Sequence, residues 1–247
     1  PDKKMDFRHP KIANLLSPAP QQNPFVPTDV AIRGTPQEAE VAEPLLIVDT
    51  PNGKCFFAED RQYLIPKTTL LFSLKSPLFT PDAKQIALTE LVAAHLNQKL
   101  SPHFSLGGRA GLYSSLHRNG FSLSLEVTGY HEKIAPFTLS TFDKIKSSLP
   151  SKENFSLCKE ELQSDYINRS RDLSIYQARD MTLNLLFNDR PTGEMLSSSL
   201  NEITYEDFLS FYENIFQQLY IESTIYGYTS EEEAKDLWKK SKEAIGG

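Results

Sequence analysis

Positive charge, cysteine and long apolar runs are all scarce in this chain, and each scarcity removes a class of function. Lys and Arg number 26 against 32 Asp and Glu, for a net charge of −6. There is then no basic stripe with which to hold a nucleic-acid backbone. No run approaches the roughly 18 to 20 consecutive apolar residues that span a bilayer, so no membrane partner is expected. The start, Pro1-Asp2-Lys3-Lys4-Met5, leads into no apolar segment of the signal-peptide kind, and the ends, Pro1 and Gly246-Gly247, read as those of an excised piece. The 2 cysteines, Cys55 and Cys158, give neither a metal spacing nor a disulfide framework. They read as packed thiols in a strand and a helix.

Catalytic patterns are missing in the same way. Hydrolytic zinc needs two His one helical turn apart, an acidic base and a third ligand. The 5 histidines are His9, His95, His103, His117 and His131, and no two of them stand at such a spacing. His131-Glu132 begins such a motif, but the fourth residue on is Ala135. His95 lies on an apolar helical stripe and reads as a core histidine; with His103 and Glu90 it could make a chance metal site, but Pro102 lies between the two histidines. No G-x-S-x-G elbow offers a serine nucleophile, and Gly107-Gly108 lacks the spacing of a dinucleotide loop. Glu160, Glu161, Asp180 and Glu194 read as solvated helix-face carboxylates, and Glu231-Glu232-Glu233 as complementing a helix dipole rather than binding calcium. Neither a catalytic nor a metal residue is assigned. Tyr113, Tyr130, Tyr220, Tyr226 and Tyr228 fall on strands or strand ends. They either line a binding surface or form ordinary cross-strand pairs, and no residue is assigned to peptide binding on the sequence.

What remains is a chain of 247 residues, enough for one large domain or two small ones. Residues 1–43 hold Pro10, Pro18, Pro20, Pro24, Pro27 and Pro36, so they form an extended linker segment with a short strand expected near Val30 to Arg33. Order begins at Pro44. Leu45 to Asp49 and Lys54 to Glu59 flank the turn signal Pro51-Asn52-Gly53 as a hairpin. Thr68 to Lys75 alternates as a half-buried strand. Thr80-Pro81-Asp82 sets a cap at Thr80 and proline at the first helical position, opening a helix to about Leu100. Strands follow at Leu112 to Leu116 and Phe121 to Thr128, with Asn119-Gly120 as the two tip residues of a tight turn.

Helices are then expected over Lys133 to Leu149, from the Ser151 cap to about Arg169, over Ile175 to Phe187, near Gly193 to Leu200 and over Tyr205 to Gln217 behind the Thr204 cap. A strand at Tyr220 to Tyr228 and a helix opened by the capping box Ser230 to Glu233 complete the order. Strands followed by helices, without β-α-β alternation, define an α+β fold. Its sheet should be mainly antiparallel, with five or six strands and helices packed on one face; residues 44–247 are expected to form one domain.

Several words in this order carry a resemblance. They are Asn23-Pro24-Phe25-Val26-Pro27-Thr28, Asp60-Arg61-Gln62-Tyr63-Leu64-Ile65-Pro66-Lys67, Ser76-Pro77, Arg109-Ala110-Gly111-Leu112, Val127-Thr128-Gly129-Tyr130 and Tyr226-Gly227. Each is weak alone. Together, in order, they resemble the third, middle domain of the pitrilysin/insulinase family of zinc metallopeptidases, over nearly the whole chain. Residues 101–108 depart from the family pattern, and Pro102 with the two glycines should end the first helix early.

The resemblance implies a metallopeptidase-like repeat domain without the metal site. Zinc belongs to the first domain of the parent enzyme, so no cofactor is expected here. The implied role is non-catalytic: to wall the substrate chamber, bind peptide and hold the adjoining domains. The partners are therefore the other domains of the parent and a peptide substrate. The isolated chain is expected to be inactive. The alternative is a stand-alone binding or scaffold module of the same fold. Family members occur in cytosol and periplasm, and two unpaired cysteines do not choose between them.

Overall fold

A computed structural model describes residues 22–32, 43–187 and 189–246. Its centre is a six-stranded sheet of strand order β1-β2-β6-β3-β5-β4. The strands are β1 (Leu45–Thr50), β2 (Gly53–Glu59), β3 (Lys67–Lys75), β4 (Tyr113–Asn119), β5 (Ser122–Tyr130) and β6 (Tyr220–Gly227). Every neighbouring pair is antiparallel except β2 with β6, which runs parallel. The late strand β6 thus enters the middle of the sheet, between β2 and β3. Alternation sets the faces: Leu70, Phe72 and Leu74 of β3, Leu123, Leu125 and Val127 of β5, and Ile221 and Ile225 of β6 are all buried and share one side.

Seven helices are present among the described residues: α1 (Ala83–Gly108), α2 (His131–Ser147), α3 (Lys152–Ser170), α4 (Ser174–Leu186), α5 (Gly193–Glu202), α6 (Tyr205–Ile215) and α7 (Glu231–Gly246). α1, α2 and α7 pack on the apolar face of the sheet, and α3, α5 and α6 pack on α1. One continuous cluster of buried side chains runs through these layers, from Phe72 and Phe142 to Phe155, Tyr166 and Phe208. Pro150 therefore separates two helices, not two cores. The sequence signals for helix ends act as read at three places. Ser151 Oγ accepts from the Asn154 amide. Thr204 and Asp207 form a reciprocal capping box. The Ser230 amide donates to Glu233 Oε2 at 2.8 Å while Ser230 Oγ accepts from the Glu233 amide.

Four local expectations are corrected. The cap of α1 is Asp82, not Thr80, because its carboxylate accepts from the Lys84 and Gln85 amides. α1 does not end near Leu100 but continues through Pro102 to Gly108. Pro102 and Gln98 are both exposed, so the carbonyl that loses its donor lies on the solvent side, while Leu100, His103 and Gly107 still pack inward. Gly107 is what lets the last turn dock: a Cβ there would stand 2.5 Å from the Phe137 ring.

The β4–β5 turn is shifted by one residue. Asn119 pairs with Ser122, so the tip residues are Gly120 and Phe121. Gly120 has φ +56° and Phe121 is not among the positive-φ residues, which matches a turn with glycine at the first central position. Finally, Val30, Ala31 and Ile32 lie in no strand, and Arg33 falls outside the described residues. The anchor of this segment is Phe25, not a strand: its ring meets His103 and Phe137 edge-on.

Candidate functional site

The sheet has one covered face and one bare face, and the bare face is the candidate site. Strand register brings its side chains into rows. Ala58, Tyr226, Thr69, Thr128 and Tyr113 are successive partners across β2, β6, β3, β5 and β4. Phe56, Thr224, Leu71, Glu126 and Ser115 form the next row. In these rows Tyr113 is 63% exposed, and Leu71 and Tyr226 are each 39% exposed. A leucine this open in the middle strand of a sheet marks a face that no element of the described residues covers. The Thr69 and Thr128 hydroxyls pair at 2.8 Å and fix the spacing of the first row. Tyr130 and Tyr220 sit at opposite ends of the face, under the ammonium groups of Lys67 and Lys75 at 5.4 and 5.9 Å. Lys75 also pairs with Glu222 at 2.6 Å. Tyr228 lies past the end of β6 and meets His131 edge-on. The surface is therefore mixed: Leu71 and Tyr226 lie among Thr69, Thr128, Thr224 and Glu126, and Tyr113 stands on β4, which forms one edge.

No zinc centre is assembled among the described residues. His9 lies outside the described residues. His95 is fully buried, with Nε2 3.1 Å from the Ser148 carbonyl and Nδ1 on Asn154. His103 stacks on Phe137 at 4.5 Å and bonds Thr141, and burial holds its pKa below the usual imidazole value. His117 is exposed on β4.

His131 comes nearest to a metal constellation, yet its ring atoms are already taken. Nδ1 is 3.4 Å from Thr68 Oγ1 and Nε2 3.5 Å from Glu233 Oε1. Glu132 beside it is engaged too: its carboxylate accepts from the Thr28 and Asp29 amides at 2.7 and 2.8 Å. Among the described residues no group of three or more His, Cys, Asp or Glu is placed to hold a metal ion. The described residues do not fit zinc. Glu160, Glu161 and Glu194 are exposed and Asp180 is half-buried. Cys55 and Cys158 are both buried, and desolvation pushes Cys158 up to about 11, which keeps it a thiol.

The sequence words that carry the family resemblance turn out to be structural clamps. Asn23 Nδ2 donates to the Leu106 carbonyl at 2.8 Å, and Asn23 Oδ1 accepts from the Phe25 amide. Asp60 Oδ1 accepts from the Gln62 and Tyr63 amides, shaping the β2–β3 connection in which Leu64 takes φ +49°. The Pro66 carbonyl then accepts from the His131 amide at 3.0 Å, tying that connection to α2. The words at Asn23 and Asp60 thus hold separate parts of the chain together.

A mainly antiparallel six-stranded sheet with helices on one face, in this element order, defines an α+β domain. Comparison with known proteins agrees. Residues 4–199 match the family described as the middle or third domain of peptidase M16, and the chain belongs to that family. It is 26% identical over 229 residues to a nardilysin-like protein of Arabidopsis thaliana, covering 92% of this chain and 22% of that protein. It is 24% identical over 227 residues to human insulin-degrading enzyme, again 92% and 22%. The chain thus spans 22% of the length of these relatives.

Among solved structures, pitrilysin superposes with a TM-score of 0.82 at 19% identity, covering 96% of this chain and 25% of that one. A peptidase M16 inactive domain from Pseudomonas fluorescens gives 0.63 at 13% identity, covering 83% and 51%. At these identities the structures speak to the fold alone. No helix among the described residues is long and apolar enough to cross a membrane.

Proposed function

We propose that this chain is a non-catalytic wall of the substrate chamber in a zinc metallopeptidase, with residues 1–43 as a connecting segment and 44–247 as one domain. In this reading the bare sheet face looks into the chamber and holds unfolded peptide, while zinc and the hydrolytic step belong to another domain. The observation that carries the reading is the exposure, on the sheet face away from the helices, of Leu71 and Tyr226 on inner strands and of Tyr113 on the edge strand. Extended peptide has two ways to be held there. Its side chains lie on the aromatic rows, and its main chain pairs with the free edge of β4, which is the last strand of the sheet. Edge pairing through main-chain groups is tolerant of sequence, which suits a surface that meets many peptides.

The test uses fluorescent peptides of varied sequence and the purified chain. Weak, sequence-tolerant binding is expected, lowered by Leu71→Asp with little change in unfolding midpoint. The chain alone should cleave none of them. Chelator-sensitive turnover with stoichiometric zinc by elemental analysis would overturn the non-catalytic assignment. Unaltered peptide binding in Leu71→Asp would move binding off this face.

A further inference from the structure

α4 is turned inside out. Its 13 residues include none that is buried. At 100° per residue, Ile175, Ala178, Met181, Thr182, Leu185 and Leu186 fall within an arc of about 140°. That stripe contains no charge, and it faces away from the rest of the molecule: Ile175 is 72% exposed, Met181 61%, Leu185 86% and Leu186 69%. The side turned toward the body of the protein is the more polar one, with Gln177, Asp180, Leu183 and Asn184 half-buried. Leu173 and Phe187 extend the patch at the two ends, at 68% and 51% exposure. A surface helix normally points its apolar stripe at its own core, and an apolar patch of this continuity is a contact surface.

We infer that the outward stripe of α4 is a docking surface for an apolar, uncharged surface supplied by another domain of the intact peptidase. This rests on the reading that the chain works within a longer peptidase. The occupant follows from two observations. The relatives that align over almost all of this chain carry far more chain than it does, since it covers 22% of the nardilysin-like protein and 25% of pitrilysin. The chemistry of the helix also disfavours a lipid surface: membrane-surface helices carry Lys and Arg along the polar face, whereas α4 has Arg179 as its single cation. A stripe without charge selects a partner without charge, because an ionised group buried against it would be left unpaired.

The experiment is thiol labelling of a Leu185→Cys variant in the intact peptidase, with a bulky maleimide, in native buffer and in urea. The unsubstituted protein supplies the background from its own cysteines. Native labelling at least about tenfold slower than in urea is expected, since a docked interface must open before reagent enters. Equal rates in the two conditions would overturn the proposal. Protection that disappears on dilution, together with a dimer in sedimentation velocity, would assign the stripe to a second copy and overturn it as well. Peptide binding by the same variant separates the two readings. Binding retained without protection sinks the docking surface alone, and protection without binding sinks the chamber face alone.

Discussion

α1 and α4 are both helices with apolar stripes, and they have opposite fates. α1 buries 12 of its 26 residues, because it lies between the sheet and the layer of α3, α5 and α6. α4 buries none of its 13 and touches the body of the protein with its polar side. Periodicity in a sequence states that a stripe exists and how wide it is. It does not state what covers the stripe. α1 has its cover within the chain, whereas the cover proposed for α4 comes from elsewhere in the parent. Covered and uncovered apolar surface should therefore answer differently to substitution.

The largest expected effect is at the polar pin of α1. Glu90 receives Arg118 Nε at 3.0 Å and the Tyr166 hydroxyl at 2.7 Å, joining α1 to β4 and α3. Both charged side chains are only 13% exposed. Burial, with Glu90 as neighbour, also pushes the Tyr166 hydroxyl well above its ordinary pKa, so it stays a donor. Glu90→Ala leaves Arg118 buried without its counter-charge and should cost about 3–5 kcal/mol in urea unfolding. A cost under about 1 kcal/mol would mean that water or the Gly120 and Asp189 carbonyls, which also accept from Arg118, replace the carboxylate.

Matched truncations test the comparison directly. Leu91 is fully buried in α1, and Leu91→Ala should cost about 2–5 kcal/mol. Leu185→Ala in α4 should stay within about 0.5 kcal/mol for the isolated chain. If the second matched the first, α4 would have an internal cover and the contrast would collapse. Little loss for Leu185→Ala in the chain alone and a larger loss in the intact peptidase would sharpen it instead.

Most of the fold was legible because its signals are local. Alternation in β3 and β5 and the Ser151, Thr204 and Ser230 caps act within a few residues. What the sequence hid depends on neighbours far away in the chain. α1 passes Pro102 because Phe137 and its surroundings accept the last turn. Phe25 anchors its segment because His103 and Phe137 form a nest for it. The parallel seating of β6 against β2 leaves no mark on either strand. The bare sheet face was only half visible: the tyrosines stood out by type, but Leu71 looked like any strand leucine. The inverted stripe of α4 gave no sequence signal at all, since an outward stripe has the same period as an inward one.

A smaller effect is expected at the turn that leans on the end of α4. Gly120 sits at φ +56°, and a Cβ built there lies 3.5 Å from Asp189 Oδ2, an ordinary contact. The cost of Gly120→Val is therefore backbone strain, about 1–2 kcal/mol. Gly120→Asn should recover part of it, since Asn tolerates positive φ better. Equal midpoints for the two variants would argue that crowding of the β4–β5 tip, not φ, sets the cost.

The smallest effect concerns a third way of holding a peripheral element, by charge. The segment around Thr28 has a buried apolar anchor in Phe25 and a tie from Asn23 to the Leu106 carbonyl, and Glu132 fastens it near Thr28 and Asp29. That carboxylate accepts from the Asp29 amide at 2.8 Å, the Thr28 amide at 2.7 Å and the Thr28 hydroxyl at 2.9 Å. The Asp29 amide, then the Lys133 ammonium at 2.8 Å, then Thr28 lower its pKa from 4.5 to about 2. A folded-state pKa below the unfolded one stabilises fully above the unfolded value and is lost as pH falls through the folded one. The fastening should thus be intact above pH 4.5 and fade between there and about pH 2. Hydrogen-exchange protection at Thr28 and Asp29, corrected for intrinsic rates, should fall over that window. In Glu132→Gln it should be lower at pH 6 and nearly flat with pH, while the amides of α1 keep their protection in both proteins. If Thr28 and Asp29 lose no protection toward pH 2 in the unsubstituted protein, the Glu132 carboxylate does not hold the segment, and contacts such as those of Phe25 and Asn23 do.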